Sequence, residues 1–282
     1  MAKKMFLFNW NIKNIQLIKD KKGVNLINIS LKSFRTYYAL LLFTGKEEID
    51  ISYNNKKHHI NNNNIAFIKK NVNLDIKIKG NTLPKVIKIT NNLVTKITKY
   101  IIFIEKLETE LIDYSNDALL VRDMSSLDKN IMSYLFDNIS NENADDHFYE
   151  IMSLLKRFNK KIYNMIIKSS KPTIADEIIS LVSTDISKKW SLNDLSNSLF
   201  LSNISIRKKL ELEGITFTEM ILDLRMRHAL SLIVSSRKNL YSISEEIGYN
   251  STSYFIKNFK DYYGVTPKKL GLMLNNVNRI IL

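Results

Sequence analysis

The 282-residue chain has no cysteine, and only three prolines and seven glycines. Without cysteine there is no disulfide, no thiolate metal site and no thiol nucleophile, which suits a reducing compartment without requiring one. So few glycines leave little room for a phosphate cradle, and neither GxGxxG nor GxxxxGK followed by Ser or Thr occurs. Long apolar runs are missing too. No segment approaches the ~18–20 apolar residues of a membrane span. The run Met5-Phe6-Leu7-Phe8 behind Lys3 and Lys4 stops at Asn9, short of the ~7–15 residues of an export signal. The expectation is a cytoplasmic protein that does not engage a membrane. Hydrophobic residues at 45% and charged residues at 25% are those of a folded chain, long enough for two domains.

What is abundant is positive charge. Lys and Arg number 42 against 28 acidic residues, a net +14. Such a surplus attracts polyanions, nucleic acid among them. A codon bias toward A and T would also raise Lys, Asn and Ile together, and the chain has 32 Asn. Residues 1–170 hold 27 basic and 17 acidic residues, and residues 171–282 hold 15 and 11. A nucleic-acid reader in the second half must therefore use local basic faces.

The hydropathy pattern divides the chain. Up to about residue 90, short runs (26–31 partly alternating, 37–43 solidly apolar, 49–53 alternating, then 65–68, 74–78 and 86–89) are separated by Asn tracts, Gly80 and Pro84. That pattern predicts a small barrel or sandwich. From about residue 93 the period becomes helical, with stripes at 93–112, 127–136 and 144–168 that need a packing partner. Lys168-Ser169-Ser170-Lys171-Pro172 reads as a linker, since Pro172 turns Lys171 away from helix. The expected domains are 1–170 and 171–282.

Two segments of the second half share one grammar. In residues 191–213, Ser191 can cap a helix over 192–199, Phe200-Leu201 makes a break, and Ser202 caps a second helix. Ile206 and Leu210 face inward there, leaving Asn203, Ile204, Arg207 and Lys208 outward. In residues 242–263, Ile243 and Ile247 lie on a first helix and Gly248 marks the turn. Ser251 caps a second helix with Phe255 and Phe259 inward, and Thr252, Ser253, Ile256 and Lys257 outward. Helix, tight turn and capped helix with a polar face is the helix-turn-helix pattern of DNA readers.

Residues ~173–272 resemble the DNA-binding domain of the AraC/XylS transcription regulators. The resemblance rests on Gly248-Tyr249, Ser251, Ser253-Tyr254-Phe255, Phe259-Lys260, Tyr262, Gly264 and Thr266-Pro267, a long run of fixed spacing. Leu201-Ser202, Ile206-Arg207-Lys208-Lys209-Leu210 and Glu213-Gly214 are similar to the virulence-regulator branch, the ToxT, Rns, PerA and RegA group. Leu270 and Gly271 depart from the family's usual aromatic and basic pair. The resemblance implies an α+β two-domain protein. Its N-terminal part would be a cupin-like β-barrel with dimerisation helices. Its C-terminal part would be an all-α domain with two helix-turn-helix motifs on a linker helix over 218–235. It implies a sequence-specific activator of virulence or colonisation genes at AT-rich promoters, relieving silencing and working with RNA polymerase at the bacterial nucleoid, as a possible homodimer.

Arg207 suits a guanine edge, and Arg207, Lys208 and Lys257 suit phosphate. Asn203, Ile204, Thr252, Ser253 and Ile256 suit adenine edges or thymine methyls, which points to AT-rich sites and a share of indirect readout. Lys209, Lys260, Lys268 and Lys269 are phosphate contacts or plain surface. Some relatives hold a small anion, a fatty acid or bicarbonate, in the N-terminal domain. Lys32, Arg35 and Lys88 are the candidate cations here, although an exposed lysine face is the simpler reading. No ligand lysine matches at Val234-Ser235-Ser236.

No resident cofactor and no metal is expected. Adjacent His58 and His59 would point to opposite faces of a strand, Asp145-Asp146 reads as a helix-start charge pattern, and no nucleophile motif appears. Two other readings stay open. One is a co-regulator or anti-activator acting by protein contact; the other is a barrel whose main task is binding a small anion.

Overall fold

A computed structural model describes residues 14–19, 25–80, 82–105, 117–138, 144–236 and 238–272. The chain forms two compact units whose main bodies are Ser33–Lys171 and the segment from Pro172 onward.

Among the described residues, nine strands make two sheets. They are β1 (Asn14–Lys19), β2 (Asn25–Arg35), β3 (Ala39–Phe43), β4 (Glu48–Tyr53), β5 (Lys56–Ile60), β6 (Asn64–Ile68), β7 (Asn73–Gly80), β8 (Lys85–Ile89) and β9 (Leu119–Asp123). The first sheet runs β1-β2-β7-β4-β5 and the second β8-β3-β6-β9. In β7 the buried Leu74, Ile76 and Ile78 alternate with exposed Asp75, Lys77 and Lys79, so this sheet has one wet face. Ile49 of β4 lies opposite Ile78 on one side and Ile60 on the other, one apolar row across three strands. β3 and β6 are buried at every position. One face of the second sheet, with Leu41, Phe43, Ile65, Phe67 and Ile87, packs against the helices. Among the described residues no strand pairing joins the two sheets, so the cupin-like architecture is open, not a closed barrel.

The helical layer consists of α1 (Asn91–Glu105), α2 (Ser126–Asn138), α3 (Phe148–Leu155) and α4 (Lys161–Ser170). Leu93, Val94, Ile97 and Ile101 of α1 and Ile162, Met165 and Ile166 of α4 share the core of the second sheet. A buried ion pair fastens this layer. Both terminal nitrogens of the Arg122 guanidinium donate to Asp128, at 2.8 and 2.9 Å, and Nη2 also donates to the Leu154 carbonyl. Asp128 is fully buried. Its carboxyl is held down at about 2, because hydrogen bonds from Arg122 and Ser125 outweigh the burial that would raise it.

Two details differ from the sequence expectation. β9 is a strand inside the stretch of helical period, paired antiparallel to β6. The stripe over 144–168 is broken between α3 and α4, where Phe158 turns into the core and Asn159 Oδ1 accepts from the Lys161 backbone N–H at 3.1 Å. Lys56-Lys57-His58-His59 is part of edge strand β5, where charge discourages pairing with another chain.

From Pro172 onward the described residues are helical: α5 (Ile174–Thr184), α6 (Leu192–Leu199), α7 (Asn203–Leu212), α8 (Phe217–Ser235), α9 (Leu240–Glu246), α10 (Thr252–Tyr263) and a last helical turn at 267–272.

Candidate DNA-binding surface

Local chemistry sets each helix start. Ser191 and Asp194 form a reciprocal capping box on α6, as do Thr173 and Asp176 on α5 and Thr216 and Glu219 on α8. Hydrogen bonds, first from the Ser191 hydroxyl and then from its backbone N–H, hold the Asp194 carboxyl at about 2. Ser202 Oγ accepts from the Ser205 N–H at 3.1 Å to start α7, and Ser251 Oγ accepts from the Tyr254 N–H at 3.3 Å to start α10. Glu213, just past α7, accepts from the backbone N–H groups of Ile174 and Ala175, so the end of one helix caps the start of another.

These caps orient two helices with their apolar sides down. Ile206 and Leu210 of α7, and Phe255, Phe259 and Tyr263 of α10, are buried. Ile204, Arg207 and Lys208 stand exposed on α7, and Ser253 and Lys257 on α10. Residues three and four apart share a helix face, so each exposed set forms one surface strip. Ile256 is half-buried. Asn203 and Thr252 are tied into their own motifs: Asn203 Nδ2 donates to Asn193 Oδ1 at 2.6 Å, and the Thr252 and Ser244 hydroxyls are 3.0 Å apart.

The two helix pairs are joined by α8, nineteen residues without Gly or Pro, which is ~28 Å at 1.5 Å per residue. On one side Tyr262 of α10 donates its hydroxyl to Asp223 of α8, Arg227 holds the same carboxylate at 3.0 Å, and Tyr263 donates to the Met226 carbonyl at 3.0 Å. Burial, then the Asp223 charge, pushes the Tyr262 phenol well above its ordinary range, so it stays a donor at neutral pH. On the other side Arg225 donates to the carbonyls of Ile186 and Lys188, at 3.3 and 2.9 Å, and its guanidinium lies 5.9 Å from the Tyr249 ring centroid. The loop before α6, the linker helix and the turn before α10 therefore meet at one side chain.

Sequence reasoning missed Arg225, whose partners are backbone carbonyls 37 and 39 residues away. It also passed over Phe200, treated there only as part of a break. Phe200 closes α6 in the left-handed conformation at φ 54° and is 94% exposed.

The candidate anion-holding residues are dispersed. Lys32 is exposed on β2. Arg35, at the end of β2, is buried, with its guanidinium 5.9 Å from the Tyr37 ring centroid. Lys88 is on β8 in the other sheet, 4.7 Å from the Tyr38 ring centroid. Burial lowers the Lys88 ammonium, with Asp145 opposing.

A family model described as a helix-turn-helix domain matches residues 195–271. The transcriptional activator PerA of Escherichia coli O127:H6 is 32% identical over 91% of this chain and 93% of its own length. The chain belongs to the AraC-type family of transcriptional regulators. The virulence regulon activator VirF of Shigella flexneri is 31% identical over 90% of this chain and 97% of its own. A 1.65 Å structure of ToxT from Vibrio cholerae superposes with a TM-score of 0.66 at 20% identity, over 92% of this chain and 97% of that one, which shows a shared two-domain fold. Membership in this family makes the chain a regulator and not an enzyme. No helix among the described residues is long and apolar enough to cross a membrane.

Proposed function

We propose that this AraC-type protein is a sequence-specific activator of virulence or colonisation genes at AT-rich bacterial promoters. The observation that carries the reading is the pair of capped helices α7 and α10 on one linker helix, each exposing a strip of basic and small side chains. Arg207, Lys208 and Lys257 hold phosphates or guanine edges, and Ile204, Ser253 and Ile256 read thymine-rich edges. Asn203 and Thr252 reach bases only by giving up bonds inside their own motifs. The relatives PerA and VirF are named as activators, which supports recruitment of RNA polymerase or relief of silencing as the output. The protein works in the cytoplasm at the nucleoid, as a homodimer formed through its N-terminal helices.

A finer part of the proposal concerns an effector. Lys88, desolvated beside Tyr38, and buried Arg35 suit a small carboxylate such as a fatty acid or bicarbonate. ToxT has been crystallised with an unsaturated fatty acid. Lys88→Ala removes any effect of added fatty acid or bicarbonate on DNA binding. An unchanged response excludes Lys88.

The deciding experiment is binding of the full-length protein to AT-rich promoter fragments and to scrambled duplexes of equal composition, across a salt series. Preference that survives physiological salt is expected. Equal binding that disappears with salt leaves only the electrostatics of a +14 chain and rejects the reading.

A further inference from the structure

The turn between α6 and α7 combines two costly features. Phe200 adopts φ 54°, ψ 37°, a region that bulky residues rarely occupy. Its ring is also 94% exposed, the highest value among the exposed large hydrophobic residues of the described chain. The second motif meets the same geometric need cheaply, with Gly248 at φ 80°. Glycine or asparagine is the usual occupant of such a helix end, and either would relieve both costs here. The backbone around Phe200 is nevertheless fixed: its N–H donates to the Ser196 carbonyl, and Ser196 Oγ donates to the Leu201 carbonyl at 2.5 Å. Strain of this kind persists where the surroundings enforce it, and it points toward a site of function.

The place of the ring identifies its partner. Phe200 lies two residues before Ser202, the cap of α7, and in this motif the start of the second helix is the part that approaches base edges. Ile204, four residues on, is 66% exposed. Arg207, Lys208 and Lys209 follow on the exposed side of the same helix. An apolar ring and an isoleucine beside three cations match the chemistry of a thymine-rich duplex, with C5 methyl groups next to phosphates.

We infer that Phe200 is a DNA-contacting, specificity-determining residue: its ring packs on a thymine C5 methyl at the rim of the major groove, next to the step contacted by Ile204. The inference rests on the DNA-binding reading above and adds a contact outside the recognition helix.

The test uses the full-length protein and a duplex that it selects from a random pool. Thymines of that duplex are replaced one at a time by uracil, which lacks only the methyl group. The expected result is that wild-type protein loses affinity at a small set of positions. Phe200→Asn binds about five- to tenfold more weakly, and one position next to those governed by Ile204 becomes indifferent to uracil. Because Asn accepts the left-handed conformation, this variant melts no lower than wild type. Phe200→Leu keeps an apolar group under the same strain and retains most of the sensitivity. A Phe200→Asn protein with wild-type affinity and an unchanged uracil profile overturns the inference. So does one that binds DNA normally and fails only in transcription, since the ring then meets a protein. If the wild type selects no duplex at all, the DNA-binding reading fails together with this contact.

Discussion

A side-chain carbon placed on Gly248 would lie 2.2 Å from the carbonyl oxygen of Ser187 and 2.8 Å from an Arg225 nitrogen. The glycine also sits at φ 80°, where a Cβ is disfavoured in any surroundings. The turn before α10 thus closes directly on the loop that precedes α6. Gly248→Ala should destabilise the protein by about 3 kcal/mol or more, since backbone strain and a backbone clash add. Chemical denaturation of the variant is the check, and a loss below about 1 kcal/mol would mean that the loop can move aside.

The Asp223–Tyr262 hydrogen bond joins the linker helix to α10. Tyr262→Phe should cost about 1–2 kcal/mol, the usual range for leaving a buried acceptor short of a donor. Asp223→Ala should cost more, about 3 kcal/mol, because it removes one charge of a mostly buried ion pair with Arg227 as well as the Tyr262 acceptor. Both variants should weaken protection over the half of the operator read by α10 more than over the half read by α7. Footprinting resolves the two halves, and equal loss in both would argue against a local role.

Asp128 has its carboxyl at about 2 in the folded state, below the ordinary value of 3.8. A lowered folded value means that the unfolded chain takes up protons first as pH falls. The stabilisation is therefore complete above about pH 4 and fades as pH drops through about 2. Asp128→Asn should remove this acid dependence. It should also cost about 3 kcal/mol at neutral pH, by leaving Arg122 without its charge partner. Melting temperatures between pH 2 and pH 7 test both statements, and a variant with the wild-type acid profile would contradict them.

Arg207→Ala should lose about 1–3 kcal/mol on the selected operator and relax preference at one base pair if Arg207 reads a base. Lys257→Ala should weaken binding evenly across sequences and reduce the salt slope by about one if Lys257 holds a phosphate. Titrations of both variants on matched and single-mismatch duplexes over several salt concentrations separate the two behaviours.

The parts of this molecule that the sequence made legible are those decided by near neighbours. Ser191, Ser202 and Ser251 announce helix starts because each bonds a backbone N–H three residues ahead. The apolar spacing of Ile206 with Leu210 and of Phe255 with Phe259 then turns the opposite residues outward. Strand β9 was hidden because Leu119-Leu120-Val121 is too short a run to show a period, and its identity comes from pairing with β6, more than fifty residues earlier. Arg225 looked like any surface arginine on a helix until its carbonyl partners came into view. The left-handed turn at Phe200 was unreadable for a different reason, since the local sequence offers neither Gly nor Asn at that point.

The unbroken course of α8 also limits how this reader could change its spacing over time. Each residue added to an α-helix moves everything beyond it by 1.5 Å and rotates it by about 100°. A base pair added to B-DNA rotates the far site by only about a third of that, given 10–10.5 pairs per turn. Under the reading proposed above, one residue inserted in α8 after Met226 would therefore swing α10 away from the groove that receives α7, and would pull Asp223 and Met226 out of line with Tyr262 and Tyr263. On that reading the interval between α7 and α10 changes tolerably only in whole helical turns, so new operators are more easily reached by changing the exposed side chains than by changing the distance between them.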